Sequence, residues 1–94
     1  MMVAGLLQVD LHLPRAQSLK DKRSVLKSLK DQVRAHFNVA VAEVDPNELW
    51  QRATIGIATV GDDRGHVQGV LRQVTEWMRT TRLVELIQVE EDYL

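Results

Sequence analysis

Residues 18–37, SLKDKRSVLKSLKDQVRAHF, restrict the possible folds more than any other stretch of this chain. Set at about 100° per residue, Val25, Leu26, Leu29, Val33 and Phe37 fall on one side of a helix. Ser18 is a good N-cap, because its hydroxyl accepts from a free backbone N–H of the first turn. Asp21 places a carboxylate in that turn, where the helix dipole favours it. A helix with a single apolar side needs a surface to bury it, and the neighbouring segments read as strands.

Before the helix, residues 2–13 settle into alternation, with Leu7, Val9, Leu11 and Leu13 pointing one way. Leu6, Gln8, Asp10 and His12 point the other way, the pattern of a half-buried strand that Pro14 ends. After it, residues 38–45 are valine-rich and read as a second strand, followed by an Asp45-Pro46-Asn47 turn signal. Residues 52–60 form a third strand, with Ile55 and Ile57 on one face and Thr54, Gly56 and Ala58 on the other. Gly61-Asp62-Asp63 breaks it, and one aspartate is expected to cap a second helix, about residues 63–80. Val67, Val70, Leu71, Val74, Trp77 and Met78 form its buried stripe. Gly65 and Gly69 reduce helix propensity there and are expected to allow close packing on the sheet. Residues 83–89 supply a fourth strand, followed by the acidic tail Glu90, Glu91 and Asp92. The order β-α-β-β-α-β, joined by right-handed crossovers, predicts an α+β ferredoxin-like sandwich. Its four-stranded antiparallel sheet has the order 4-1-3-2, with both helices on one face and the other face open.

Ninety-four residues suit one domain, 1–94, with a single two-layer core. The absence of cysteine excludes disulfides, thiolate chemistry and cysteine-ligated zinc. The apolar start, Met1 to Leu7, is short and lacks a basic flank, so neither a signal peptide nor a membrane span is expected. A cytoplasmic setting is the corresponding expectation. Net charge is only −1, yet the distribution is uneven. Residues 15–34 hold seven basic residues and two acids, whereas residues 35–94 hold five basic residues and ten acids.

The run Ser18-Leu-Lys-Asp-Lys-Arg-Ser-Val-Leu-Lys-Ser-Leu-Lys30 is the most specific part of a wider likeness. Together with Phe37-Asn38-Val39, Ala42-Glu43-Val44, and Trp50-Gln51-Arg52-Ala53 followed by Gly56, it resembles the YlxP-like family of small bacterial proteins of unknown function. The resemblance spans essentially the whole chain and implies a ferredoxin-like fold. Genes of that family are often found among translation and ribosome-maturation genes, which implies a connection with RNA or the ribosome. The family has no assigned catalytic residues to carry over.

Lys20, Arg23, Lys27, Lys30 and Arg34 cluster on the first helix beside and opposite its apolar side. Arg23 to Arg34 spans about 16 Å at 1.5 Å per residue, with Asp21 and Asp31 expected off the row. Such a row suits successive phosphates of a nucleic acid, where Lys and Arg displace counterions. A solvated basic face that keeps the protein soluble is the plainer alternative. Lys22 falls near the apolar side and is expected to snorkel at its edge.

Leu6, Gln8, Asp10 and His12, on the open sheet face, and Trp50, before the third strand, are candidate interface residues. For Trp50, packing at the core edge is the favoured reading. No strand carries paired aromatics of the kind that stack bases in RNA-recognition domains. Asp10 and His12 share a face but lack a nucleophile or further ligands, and residues 61–65 form a turn and cap rather than a phosphate loop. No catalytic, metal or cofactor site and no small-molecule ligand is therefore expected. The chain reads as a non-catalytic protein that binds RNA or a ribosomal particle through its basic helix. The alternative is an interaction or regulatory module that dimerises through its open sheet.

Overall fold

Strand β1 (Val3–His12) is hydrogen-bonded on both edges, which makes it an inner strand of the sheet. The computed structural model describes residues 1–94. After β1 come α1 (Leu19–His36), β2 (Ala40–Val44), β3 (Arg52–Gly61), α2 (Arg64–Thr80) and β4 (Glu85–Tyr93). The strands form one antiparallel sheet in the order β2-β3-β1-β4, the expected order read from the opposite edge. Both helices cover one face, α1 over β2 and α2 over β1, β3 and β4.

Alternation fixes which side of β1 is buried. Leu7, Val9, Leu11 and Leu13 face the helices and are essentially inaccessible, whereas Leu6 and Gln8 on the other face are exposed. Ala53, Ile55 and Ile57 supply the matching side of β3, with Ile57 opposite Leu7 and Ile55 opposite Val9. Leu26, Leu29 and Val33 of α1 and Leu71, Val74 and Met78 of α2 close the core from above. Val70 and Trp77 are only half-buried, at the margin of the expected α2 stripe. Burial of each Val, Leu, Ile or Met side chain contributes about 1.5–3 kcal/mol.

Both helix starts are capped by side chains. The Ser18 hydroxyl accepts from the Asp21 N–H at 3.0 Å, and the Asp21 carboxylate accepts in return from the Gln17 N–H at 3.0 Å. Of the two aspartates before α2, Asp63 is the cap, accepting from the His66 N–H at 2.9 Å.

The fourth strand differs from the sequence expectation. It begins at Glu85, and the acidic residues Glu90, Glu91 and Asp92 lie inside it, opposite Gln8, Leu7 and Leu6. Carboxylates are poor strand formers, but β4 is an edge strand whose side chains reach water, and pairing with β1 satisfies its backbone. The run is further fixed by Tyr93, whose hydroxyl donates to Glu91 at 2.8 Å and whose ring lies 4.8 Å from the Arg64 guanidinium. Burial, then the hydrogen bond and charge of Glu91, push the Tyr93 phenol above its usual pKa. Strand β2 is shorter than expected at its start. Asn38 is used as a turn, its carbonyl accepting from the Thr59 hydroxyl at 3.0 Å.

Close approach of a helix to the sheet occurs at Gly5, not at Gly65 or Gly69. A Cβ on Gly5 would lie 2.5 Å from Val67 Cγ1 and 2.9 Å from Leu71 Cδ1, both on α2. At Gly69 a Cβ would meet nothing within 4 Å, and at Gly65 only the nearby Asp63 carboxylate. Opposite outcomes are therefore expected for two Gly→Ala substitutions in chemical denaturation. Gly5→Ala should destabilise by about 1–3 kcal/mol through overpacking. Gly69→Ala should stabilise by about 0.5–1 kcal/mol through helix propensity.

Candidate functional site

The buried residues of α1 are Lys22, Leu26, Leu29 and Val33, and the cations at 20, 23, 27, 30 and 34 lie to one side of that face. Lys20, Arg23, Lys27 and Arg34 are exposed, and Lys30, nearest the buried side, is half-buried. Arg34 donates to the carbonyl of Val41 at 2.9 Å, so the row overhangs the edge strand β2. Contrary to expectation, Asp31 belongs to the row. Its carboxylate accepts from Lys27 Nζ at 2.8 Å and lies 3.6 Å from Arg34 Nη1. The Lys27 hydrogen bond, with the charges of Lys27, Arg34 and Lys30, holds the Asp31 carboxyl below the usual carboxylate range, outweighing an opposing desolvation. The face thus carries five cations and one carboxylate.

The acidic strand does not neutralise this face. The ion pairs between Lys or Arg and carboxylates are Lys27–Asp31, Arg34–Asp31 and Arg79–Glu76, and none joins α1 to β4. With α1 over β2 and β4 at the far edge of the sheet, the asymmetry of charge along the chain becomes an asymmetry in space.

Lys22 was expected to snorkel, but the structure buries it. It is 3% exposed, and its ammonium donates to the Asn47 carbonyl at 3.0 Å, the Asn47 side-chain oxygen at 2.8 Å and the Leu49 carbonyl at 2.9 Å. These bonds fasten the β2–β3 connection, residues 45–51, to the second turn of α1. Asp45 enters the connection with φ of 48°, a left-handed conformation that aspartate tolerates better than most residues. The other end is held by Gln51, whose amide donates to the carbonyls of Pro14 and Ala16 at 3.2 and 3.1 Å. The Gln51 carbonyl also accepts from the Leu13 N–H at 2.9 Å. Between these anchors Leu49 and Trp50 project outward, 60% and 54% exposed, so Trp50 does not pack at the core edge. The sequence signal for the clamp was the position of Lys22, at the angular centre of the buried side.

On the open sheet face, Leu6, Ala40, Ala42, Gly56 and Ala58 floor a shallow trough of about 620 Å³, with Glu90 and Asp92 on its β4 rim. Gln8 lines the same trough. Asp10 and His12 share the face but bind different neighbours. The Thr54 hydroxyl donates to Asp10 at 2.8 Å, and His12 Nδ1 lies 3.6 Å from Glu85. The structure therefore forms no Asp-His dyad. His36 Nδ1 is 2.8 Å from the Gln32 carbonyl, and its ring centroid is 5.4 Å from that of Trp77. No three His, Asp or Glu side chains converge to hold a metal ion, and no helix is long and apolar enough to cross a membrane.

The de novo designed protein Foldit4 superposes with a TM-score of 0.57 at 12% identity, over 100% of this chain and 97% of that one, a likeness of fold alone. The uncharacterized protein YlxP of Bacillus subtilis (strain 168) is 36% identical over 70 residues, which cover 74% of this chain and 76% of the relative. Residues 4–91 match the model of the family described as protein of unknown function (DUF503). With nearly its whole length matched, the chain belongs to the DUF503 family, in which YlxP is a relative of unknown function.

Proposed function

We propose that this is a non-catalytic binding protein that takes RNA, free or within a ribosomal particle, on the cationic face of α1. The observation that carries the reading is the unpaired excess on that face: five cations, one carboxylate, and no ion pair to the acidic strand. A row of about 16 Å on a rigid helix presents several charges along one line, the arrangement that gains affinity by releasing condensed counterions. The apolar side of α1 is committed to the core, so the backbone that carries the cationic face is already fixed before a ligand binds.

A second reading rests on the trough in the open sheet. Its apolar floor and the exposed Leu6 suit a face-to-face contact with a second copy of the chain. A two-fold axis along the strands would set β4 of one copy over β2 of the other, which keeps the two acidic strands apart.

The two readings separate experimentally. If four or five cations contact a single strand, log K falls against log salt with a slope near about −3. Raising salt from about 50 to 200 mM should then weaken RNA binding, or co-sedimentation with ribosomal subunits, roughly 50- to 100-fold. Changing Arg23, Lys27 and Lys30 together to Glu should abolish binding while circular dichroism remains native. Undiminished binding by that triple variant would sink the first reading. For the second, light scattering at micromolar protein should show a dimer that Ala58→Lys disperses; a monomer in the parent protein rules it out.

A further inference from the structure

We infer that Trp50, displayed at the tip of the β2–β3 connection, is a stacking platform for an unpaired base, adjoining the cationic face of α1. The inference deepens the RNA-binding reading above and depends on it. An exposed tryptophan is unusual where the surrounding chain is so firmly held. Lysine has three donors, and all three of Lys22 are used on Asn47 and Leu49. Asn47 Oδ1 accepts in addition from the Leu49 N–H at 2.9 Å, and Gln51 is fixed to the β1–α1 connection. A buried ammonium committed in this way adds nothing to a phosphate-binding row. Its effect is to keep the loop tip in one shape, so that a ligand meets an aromatic face already in place.

The surroundings select the kind of ligand. Arg52 and Trp50 line one concavity of about 440 Å³, and Glu48 is its single acid. Arg15 sits between Pro14 and Ala16, whose carbonyls Gln51 holds, and Lys20 and Arg23 flank Lys22 on α1. An aromatic ring that shares a concavity with Arg52, on a loop tied to the start of α1 where Lys20 and Arg23 lie, matches the needs of single-stranded RNA, with a π-face for a base and positive charge for the backbone. A purely apolar protein partner seated on Trp50 would leave the neighbouring Arg52 guanidinium desolvated and unmatched. This platform is built on a loop, unlike the paired strand aromatics of sheet-based RNA binders.

The test uses the full chain with Trp77→Phe, leaving Trp50 as the sole tryptophan fluorophore, titrated with single-stranded and duplex RNA oligonucleotides of equal length. Single-stranded RNA should quench Trp50 in parallel with binding, and duplex RNA should quench it far less. Trp50→Ala should weaken single-strand affinity about 10- to 100-fold, as expected for loss of one stacked base, with the salt slope unchanged. Trp50→Phe should recover most of that affinity. Lys22→Met should lower it too, again without altering the slope, because Lys22 touches the loop and not phosphate. If Trp50→Ala binds single strands like the parent while the α1 triple variant does not, the platform is wrong and the cationic-face reading stands. Failure of the parent protein to bind any RNA removes both. A dimer lost on Trp50→Ala, with RNA binding intact, makes Trp50 a protein contact and overturns the inference.

Discussion

Everything in this structure hangs on the position of β1. It is hydrogen-bonded to β3 along its whole length and to β4 across a register shift between Asp10 and Leu11. One of its faces lies under the helical layer. A strand with both edges paired and one face covered has a single satisfactory register, because a slip of one residue would turn Leu7, Val9 and Leu11 to solvent. At Gly5 the α2 side chains Val67 and Leu71 come so near the strand backbone that even a Cβ would displace them. This contact sets the depth of the helical layer on the sheet, and hence the placement of the α2-side core.

The second constraint is electrostatic. The chain is nearly neutral, but no ion pair joins the cations of α1 to the carboxylates of β4. The cations of α1 overhang the β2 edge, and the carboxylates of β4 line the opposite edge. Placing acid on an edge strand also discourages pairing with another sheet, as charges on exposed strand edges generally do. Arg34 has the corresponding effect at the other edge through its bond to the Val41 carbonyl. Separation of charge thus guards both edges while leaving an excess of cations on one helical face.

Between these regions, Lys22 links the fold to the surface. It occupies the buried side of α1, where an apolar residue would be the ordinary choice, and is accommodated because three oxygens meet its ammonium. No buried side-chain polar atom of the protein lacks a partner. The same bonds that make its burial tolerable give the β2–β3 connection a defined shape, and that shape decides that Leu49 and Trp50 face water.

The sequence by itself determined the element order, the sheet order and most of the core, because period-two and period-3.6 patterns record which side of each element avoids water. It also located the cations of α1, since their positions on a helix follow from spacing alone. It did not place Glu90, Glu91 and Asp92 in a strand, because local propensity argues against them and only pairing with β1 holds them there. Nor did it show that Asp31 joins the cationic row, that Asp10 and His12 take different partners, or that Gly5 is the point of closest approach. Those outcomes depend on the rotamers and distances of residues far apart in the chain. The fate of Lys22 and Trp50 was decided in the same way: spacing put the lysine near the apolar side of α1, and only the folded loop brought Asn47 and Leu49 to it and buried it.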